Sequence, residues 1–207
     1  MEEHETTREK IKQAALEEFV ERGYDGARMQ EIADRAGANK AMIHYYFTSK
    51  DALFEAILRE TFEELFQLFS QIWSMADQSP EELIRKTVNA HFQFLSEHQY
   101  LPRILVRELN SNNPIVEKVM HDLFQQTGSN NIRQAVDTLA AGIDAGKLRK
   151  VDPKQTIWNV IGLNLFFFIA KPLLKAIWQE EFVDEEKLLV KREKAIVDLL
   201  LYGLLPR

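Results

Sequence analysis

MQEIADRAGANKAMIHYYFTSK, residues 29–50, reads as two short helices about a tight turn, with a third helix beginning at its end. Ile32, Ala33 and Ala36 line one side of the first helix. Gly37 offers the left-handed backbone that lets the chain double back without a Cβ penalty. Asn39 then stands as a cap for the second helix. Ile43 and Phe47 fall on one face and turn inward against Ile32 and Ala33, so that Lys40, Ala41, Met42, His44 and Tyr45 face outward. This is the pattern of a helix-turn-helix, whose second helix enters the major groove of DNA while the first lies across the backbone.

Upstream, Thr6 followed by Glu9 makes a capping box, and Ile11, Ala14, Ala15, Leu16, Phe19 and Val20 give a helical stripe that ends at Gly23. Downstream, Thr48-Ser49 caps a new helix with Asp51 in its first turn. Lys50 sits in that turn, where backbone N–H groups and an ammonium together can hold a phosphate. From Leu53 the apolar positions recur at three and four through Phe54, Ile57, Leu58, Phe62, Leu65, Phe66, Phe69, Ile72 and Trp73, which makes one long helix to about Met75.

From Thr7 to Leu58 the chain resembles the N-terminal domain of the TetR (tetracycline repressor) family of bacterial transcription regulators. The resemblance rests on the phenylalanine-bearing first helix, Gly23-Tyr24, Ile32-Ala33, Ala36-Gly37, Lys40, Tyr45-Tyr46-Phe47, Lys50 and Leu53, with no gaps in their spacing. It implies that Lys40, Ala41 and His44 face bases, that Tyr45, Tyr46 and Lys50 hold phosphates, and that Gln30 reaches a base. Three positions depart from the family pattern. Arg28 stands where a threonine cap is usual, and a cation there still meets phosphate; His44 replaces a usual tyrosine and Ala41 a frequent glycine. The resemblance also implies a homodimer and a C-terminal domain that binds a small-molecule effector.

Past the long helix, Ser79-Pro80-Glu81-Glu82 is a helix start with cap, first-turn proline and capping-box glutamate, and the helix it opens buries Ile84, Val88, His91, Phe92 and Leu95. Pro102 opens a short helix through Arg107-Glu108 to Leu109, and Pro114 starts another carrying Val116, Val119, Met120, Leu123 and Phe124, interrupted at Gly128. Ile132, Val136, Leu139, Ala140 and Ile143 mark the next helix, which runs to Gly146. Asp152-Pro153 caps a helix that is apolar almost all round, from Ile157 to Ala170. A last helix from about Asp184 carries Leu188, Leu189, Ile196, Val197, Leu199, Leu200, Leu201, Leu204 and Leu205. The last two helices hold more apolar surface than one core needs, so each is expected to pair with its copy in a second subunit.

Composition sets the outer limits. The chain has 207 residues, a net charge of −6 and no cysteine, so disulfides, thiolate metal sites and cysteine nucleophiles are excluded. A charge of that sign argues against binding nucleic acid by bulk attraction. Within residues 1–50 eight basic residues face ten acidic ones, so DNA contact must come from a few placed cations, chiefly Lys40 and Lys50 with Arg28. The N-terminus has no apolar leader, and the run Ile157 to Ala170 is short of the roughly 18–20 residues that span a bilayer. A cytoplasmic protein with no membrane partner is expected.

Candidate sites carry plain alternatives beside the functional ones. His44 contacts a guanine edge or a phosphate, or merely tops an exposed helix. One ring of the Tyr45–Tyr46 pair packs into the domain and offers only its hydroxyl. Phe62, Phe66, Phe69 and Trp73, with Phe92, Phe124 and Trp158, line a pocket for a largely apolar effector, or are simply core. His91 and Asn164 each need a hydrogen-bond partner, supplied by the core itself or by the ligand. Arg107 with Glu108 reads as a surface pair, whereas an inward Arg107 would mark an anionic effector. Only Glu117 with His121 has helical metal-ligand spacing; no cofactor, metal or catalytic residue is expected. The expectation is an all-α protein, with a three-helix DNA-binding domain over residues 1–50 and an effector-binding, dimerising helical bundle over 51–207. It should read operator DNA as a repressor. A helical ligand-binding or scaffold protein that does not read DNA is the competing reading.

Overall fold

The computed structural model describes residues 6–75 and 78–204, leaving aside the side chains of 127–129 and 204. Every regular element in that span is helical: α1 (Thr7–Gly26), α2 (Met29–Ala36), α3 (Lys40–Tyr46), α4 (Lys50–Trp73), α5 (Pro80–Glu97), α6 (Tyr100–Asn110), α7 (Pro114–Leu123), α8 (Ser129–Asp144), α9 (Pro153–Ile177) and α10 (Glu185–Leu204). His4 and Leu205 fall outside the described residues.

The chain divides into two compact units. One takes the described part of Met1–Glu64 together with Arg103–Phe124, the other Leu65–Pro102 with the described part of Gln125–Arg207. In the first, α1 packs on α2 and α3 over Ile11, Ala15, Phe19, Ile32, Ala33 and Ile43, all within 2 % of full burial. The turn between α2 and α3 is the expected one. Gly37 closes α2 at φ 63°, and the Asn39 side chain accepts from Met42 N at 2.9 Å to open α3. Ser49 caps α4 by accepting from Ala52 N at 3.1 Å. Three aromatic rings, with Phe19 and Phe54 buried and Tyr24 half-buried, fix the corner between α1 and α4: Phe19 meets Phe54 edge-on at 4.8 Å, and Tyr24 lies 5.1 Å from Phe54.

In the second unit α5 is the central helix, packed on α8, α9 and α10. Its start shows the reciprocal capping box of Ser79 and Glu82, with Pro80 in the first turn. Asp152 caps α9 through Lys154 N and Gln155 N. The helix then runs past Ala170 and carries Pro172 inside it to Ile177. Lys171 and Pro172 mark the end of the apolar run but not of the helix: Leu173, Leu174 and Ile177 resume it. At 25 residues α9 is thus long and apolar enough to cross a membrane on length and composition, where the run seen in sequence was too short. Between Leu123 and α8 the chain keeps winding through a π turn at Phe124–Gly128, so Gly128 does not interrupt it as expected. A 3₁₀ turn, Gln179–Phe182, separates α9 from α10 and had no sequence signal.

Candidate nucleic-acid interface and effector cavity

α3 carries its buried residue, Ile43, on one face and leaves Lys40, Ala41, His44, Tyr45 and Tyr46 exposed on the other. Tyr45 is 83 % exposed and Tyr46 39 %, and their rings meet edge-on at 5.1 Å, so the expectation that one of them packs into the domain gives way to a pair leaning on each other. His44 Nδ1 lies 3.4 Å from Thr48 O, a long contact that leaves the ring accessible. Gln30 is exposed and donates to Asp34 at 2.8 Å. Arg28 is exposed at the start of α2 and supplies no side-chain cap, which leaves the first N–H groups of that helix open.

The acidic charge of this unit lies elsewhere. Arg35 gathers Glu17, Glu18 and Glu21, and Glu60 takes Arg8 and Lys12. From Arg35 to Lys50 there is no Asp or Glu at all. A face that reads as acidic by composition is therefore locally positive at α3, where Lys40 has no ion pair among the described residues.

Lys50 is placed differently from a free phosphate ligand. Its ammonium donates to the carbonyls of Tyr24, at 2.9 Å, and Ala27, at 3.3 Å, and lies 4.5 Å from the centre of the Tyr24 ring. It binds the end of α1, whose last carbonyls have no helical partners. Tyr24 in turn donates its hydroxyl to Asp51, and burial together with that carboxylate raises its pKa.

Arg107 and Glu108 hold the same corner, where sequence reasoning saw a surface pair or an effector ligand. Gly23 breaks α1 with φ 74° and ψ 174°, a conformation essentially restricted to glycine. Arg107 donates to the carbonyls of Glu21 and Arg22 that this break exposes, so its guanidinium is engaged by backbone and turns to no ligand. Glu108, 4 % exposed, accepts from Tyr24 N at 3.0 Å and from Asn113 Nδ2 at 2.7 Å. A buried carboxylate supplied with two donors is a structural clamp. The signal that sequence reading missed is the pairing of a helix-breaking glycine with a distant Arg-Glu dipeptide.

The effector candidates separate. Phe62 is buried on the part of α4 that belongs to the first unit. In the second unit Phe66, Phe69, Trp73, His91, Phe92 and Asn164 are all buried; Phe69 stacks on Trp73 at 4.8 Å and meets the His91 ring edge-on at 5.7 Å. Trp158 on α9 is 64 % exposed, and Phe124, which belongs to the first unit, is 38 % exposed. A small cavity of about 20 Å³ is lined by Trp73, Leu83, Ile84, Thr87, Ala135, Leu139, Thr156, Ile157 and Val160. A second, open groove of about 410 Å³ lies along Phe166, Phe167, Leu174, Trp178, Leu188 and Arg192. No group of acidic or histidine side chains among the described residues can hold a metal, and both Glu117 and His121 are exposed.

With this geometry in view, the relatives are informative. Residues 11–57 match the family described as bacterial regulatory proteins, tetR family, and residues 80–200 match the tetracyclin repressor-like C-terminal domain. The HTH-type transcriptional regulator RutR of Escherichia coli (strain K12) is 24 % identical over 185 residues, covering 84 % of this chain and 80 % of its own. The HTH-type transcriptional repressor NicS of Pseudomonas putida is 29 % identical over 148 residues, 69 % of this chain and 64 % of its own. Among solved structures, the ketosteroid transcriptional regulator KstR2 of Mycobacterium tuberculosis superposes with a TM-score of 0.74 at 18 % identity, over 98 % of this chain and 96 % of that one. The two family matches cover both the helix-turn-helix and the helical bundle, and the chain belongs to the TetR family of DNA-binding transcription regulators.

Proposed function

We propose that the protein is a homodimeric, cytoplasmic repressor that reads a near-palindromic operator through α3 and lowers its affinity when a largely apolar small molecule enters the second unit. The observation that carries the reading is the exposed, acid-free face of α3, held on a fully buried helix-turn-helix core. Residues 1–50 carry the reading surface. Lys40, Ala41 and His44 meet bases with Gln30 beside them, while Tyr45, Tyr46 and Arg28 meet phosphates. Lys50 serves the same surface by holding the α1 corner. Residues 51–207 bind the effector and the second copy. The apolar residues left exposed along α9 and α10, among them Trp158, Phe166, Leu173, Leu199 and Tyr202, support pairing through these two helices.

The effector signal travels along α4, which is one helix shared by both units. Its strength equals the effector's preference for one conformation, typically about 1–3 kcal/mol. No catalytic step and no cofactor belong to this function. Footprinting with the purified full chain on the DNA flanking its own gene tests it. Protection of a two-fold site, lost when Lys40 and His44 are both replaced by alanine, is expected. A helical binding protein indifferent to DNA would give no protected site.

A further inference from the structure

Arg192 on α10 is half-buried, and no acid answers its charge among the described residues. Its Nε is covered without a hydrogen-bond partner, and its guanidinium carbon lies 5.8 Å from the centre of the Phe167 ring. Two acids of the same segment are already taken: Glu181 pairs with Lys191, and Glu185 with Lys171. One turn to either side of Arg192 the helix offers Leu188, Leu189, Ala195 and Ile196, none of them an acid. Burial pushes the Arg192 pKa below its usual value, and no carboxylate opposes the shift. A guanidinium keeps its proton regardless, so this is a fixed and unmatched positive charge.

That charge lines the open groove of about 410 Å³. Phe167, buried, with Leu174, Phe182 and Leu188, half-buried, makes an apolar floor, and Phe166 and Trp178 stand exposed at the rim. The volume suits a small molecule, whereas the cavity of about 20 Å³ beside Trp73 admits a water at most. The groove lies where α9 runs through the 3₁₀ turn into α10. Trp158 and Tyr202, near the far ends of the same two helices, stay free for the pairing face, and Phe166 alone of the groove residues is shared with it. A second copy laid over the groove would bury the guanidinium unpaired unless it brought a carboxylate, a cost that opposes pairing at this end.

We infer that the groove between α9 and α10 binds an anionic amphiphile, its carboxylate head on Arg192 and its apolar tail over Phe167, Leu174 and Leu188. The inference rests on the reading of the second unit as the effector domain and names the class of molecule it takes. With Nε covered, the two terminal nitrogens of Arg192 are the fork open to an acid, and a carboxylate accepts from both side by side. An alcohol of the same length covers the same floor but leaves the charge unmatched. An ammonium is repelled by it.

Calorimetric titration of the full chain with decanoate, 1-decanol and decyltrimethylammonium at pH 7.5 tests the selection. Decanoate should bind at least tenfold more tightly than either of the others. In Arg192→Gln, checked for folding by circular dichroism, that preference should shrink to within a factor of three. Decanoate should also change the tryptophan emission of the wild type, and the change should vanish in Trp178→Phe, which keeps Trp73 and Trp158 and still binds by calorimetry. Mass by light scattering should be the same with and without decanoate. Equal binding of acid and alcohol, a preference that survives Arg192→Gln, an emission change that survives Trp178→Phe, or no saturable binding would overturn the inference. A dimer that decanoate splits would overturn it too, and give the groove to the second copy. Operator binding by the same preparation without decanoate is a separate readout. Its failure would count against the DNA-reading function and not against the groove.

Discussion

Gly23 shows how much can rest on a hydrogen atom in place of a side chain. Its φ of 74° excludes other residues, and a Cβ there would lie 2.1 Å from Arg107 Nε. Gly23→Ala should therefore cost about 1–3 kcal/mol, read as a lower denaturant midpoint with an unchanged slope. An unaltered midpoint would show that the corner can relax. His91 makes a pH-dependent contribution whose sign follows from its burial. In the unfolded chain it takes a proton near pH 6.5, in the fold only near 4, so between those values the unfolded state binds more protons. Stability is complete above about pH 6.5 and falls as the pH drops toward 4, by up to about 3 kcal/mol from this group. Thermal melts of the wild type and His91→Phe across that range should converge toward the acid end. At this scale sequence was a mixed guide: Asn39, Ser79 and Asp152 were legible as caps because capping is local chemistry, whereas the clamp of Glu108 on Tyr24 joins residues 84 apart and leaves no local trace.

Among elements, α3 and the first turn of α4 divide labour between reading and support. Lys40 is exposed on α3 with no ion pair among the described residues, so Lys40→Ala should leave the unfolding midpoint unchanged while relaxing the sequence preference of operator binding. Lys50→Ala removes the bonds of 2.9 and 3.3 Å to the α1 corner and should lower stability by about 1–2 kcal/mol, weakening binding to every duplex. Equal stability of the two variants would contradict the structural role of Lys50. Helix number and order were legible from apolar period and caps. The end of α9 was not, since Lys171-Pro172 imitates a stop that packing overrides, with Lys171 instead paired to Glu185 on α10. The 3₁₀ turn after α9 was illegible for a different reason: its Glu-rich sequence has no turn residue to announce it.

For the molecule as a whole, a net charge of −6 and a DNA-reading surface are compatible because the acids are consumed locally by Arg8, Lys12 and Arg35. Composition reports the sum, while binding depends on where the unpaired cations stand. The apolar residues left outside on α9 and α10 make the second copy part of the function, because one α3 alone reads too few base pairs to find a site among many competitors. Two copies are expected to place two reading helices about one duplex turn, roughly 34 Å, apart. Selection of the full chain against a pool of random duplexes tests these statements together. Enrichment of a near-palindrome, with half-sites spaced by a whole turn or a multiple of one, is the expected result; enrichment of a lone half-site, or of nothing above the starting pool, would contradict it.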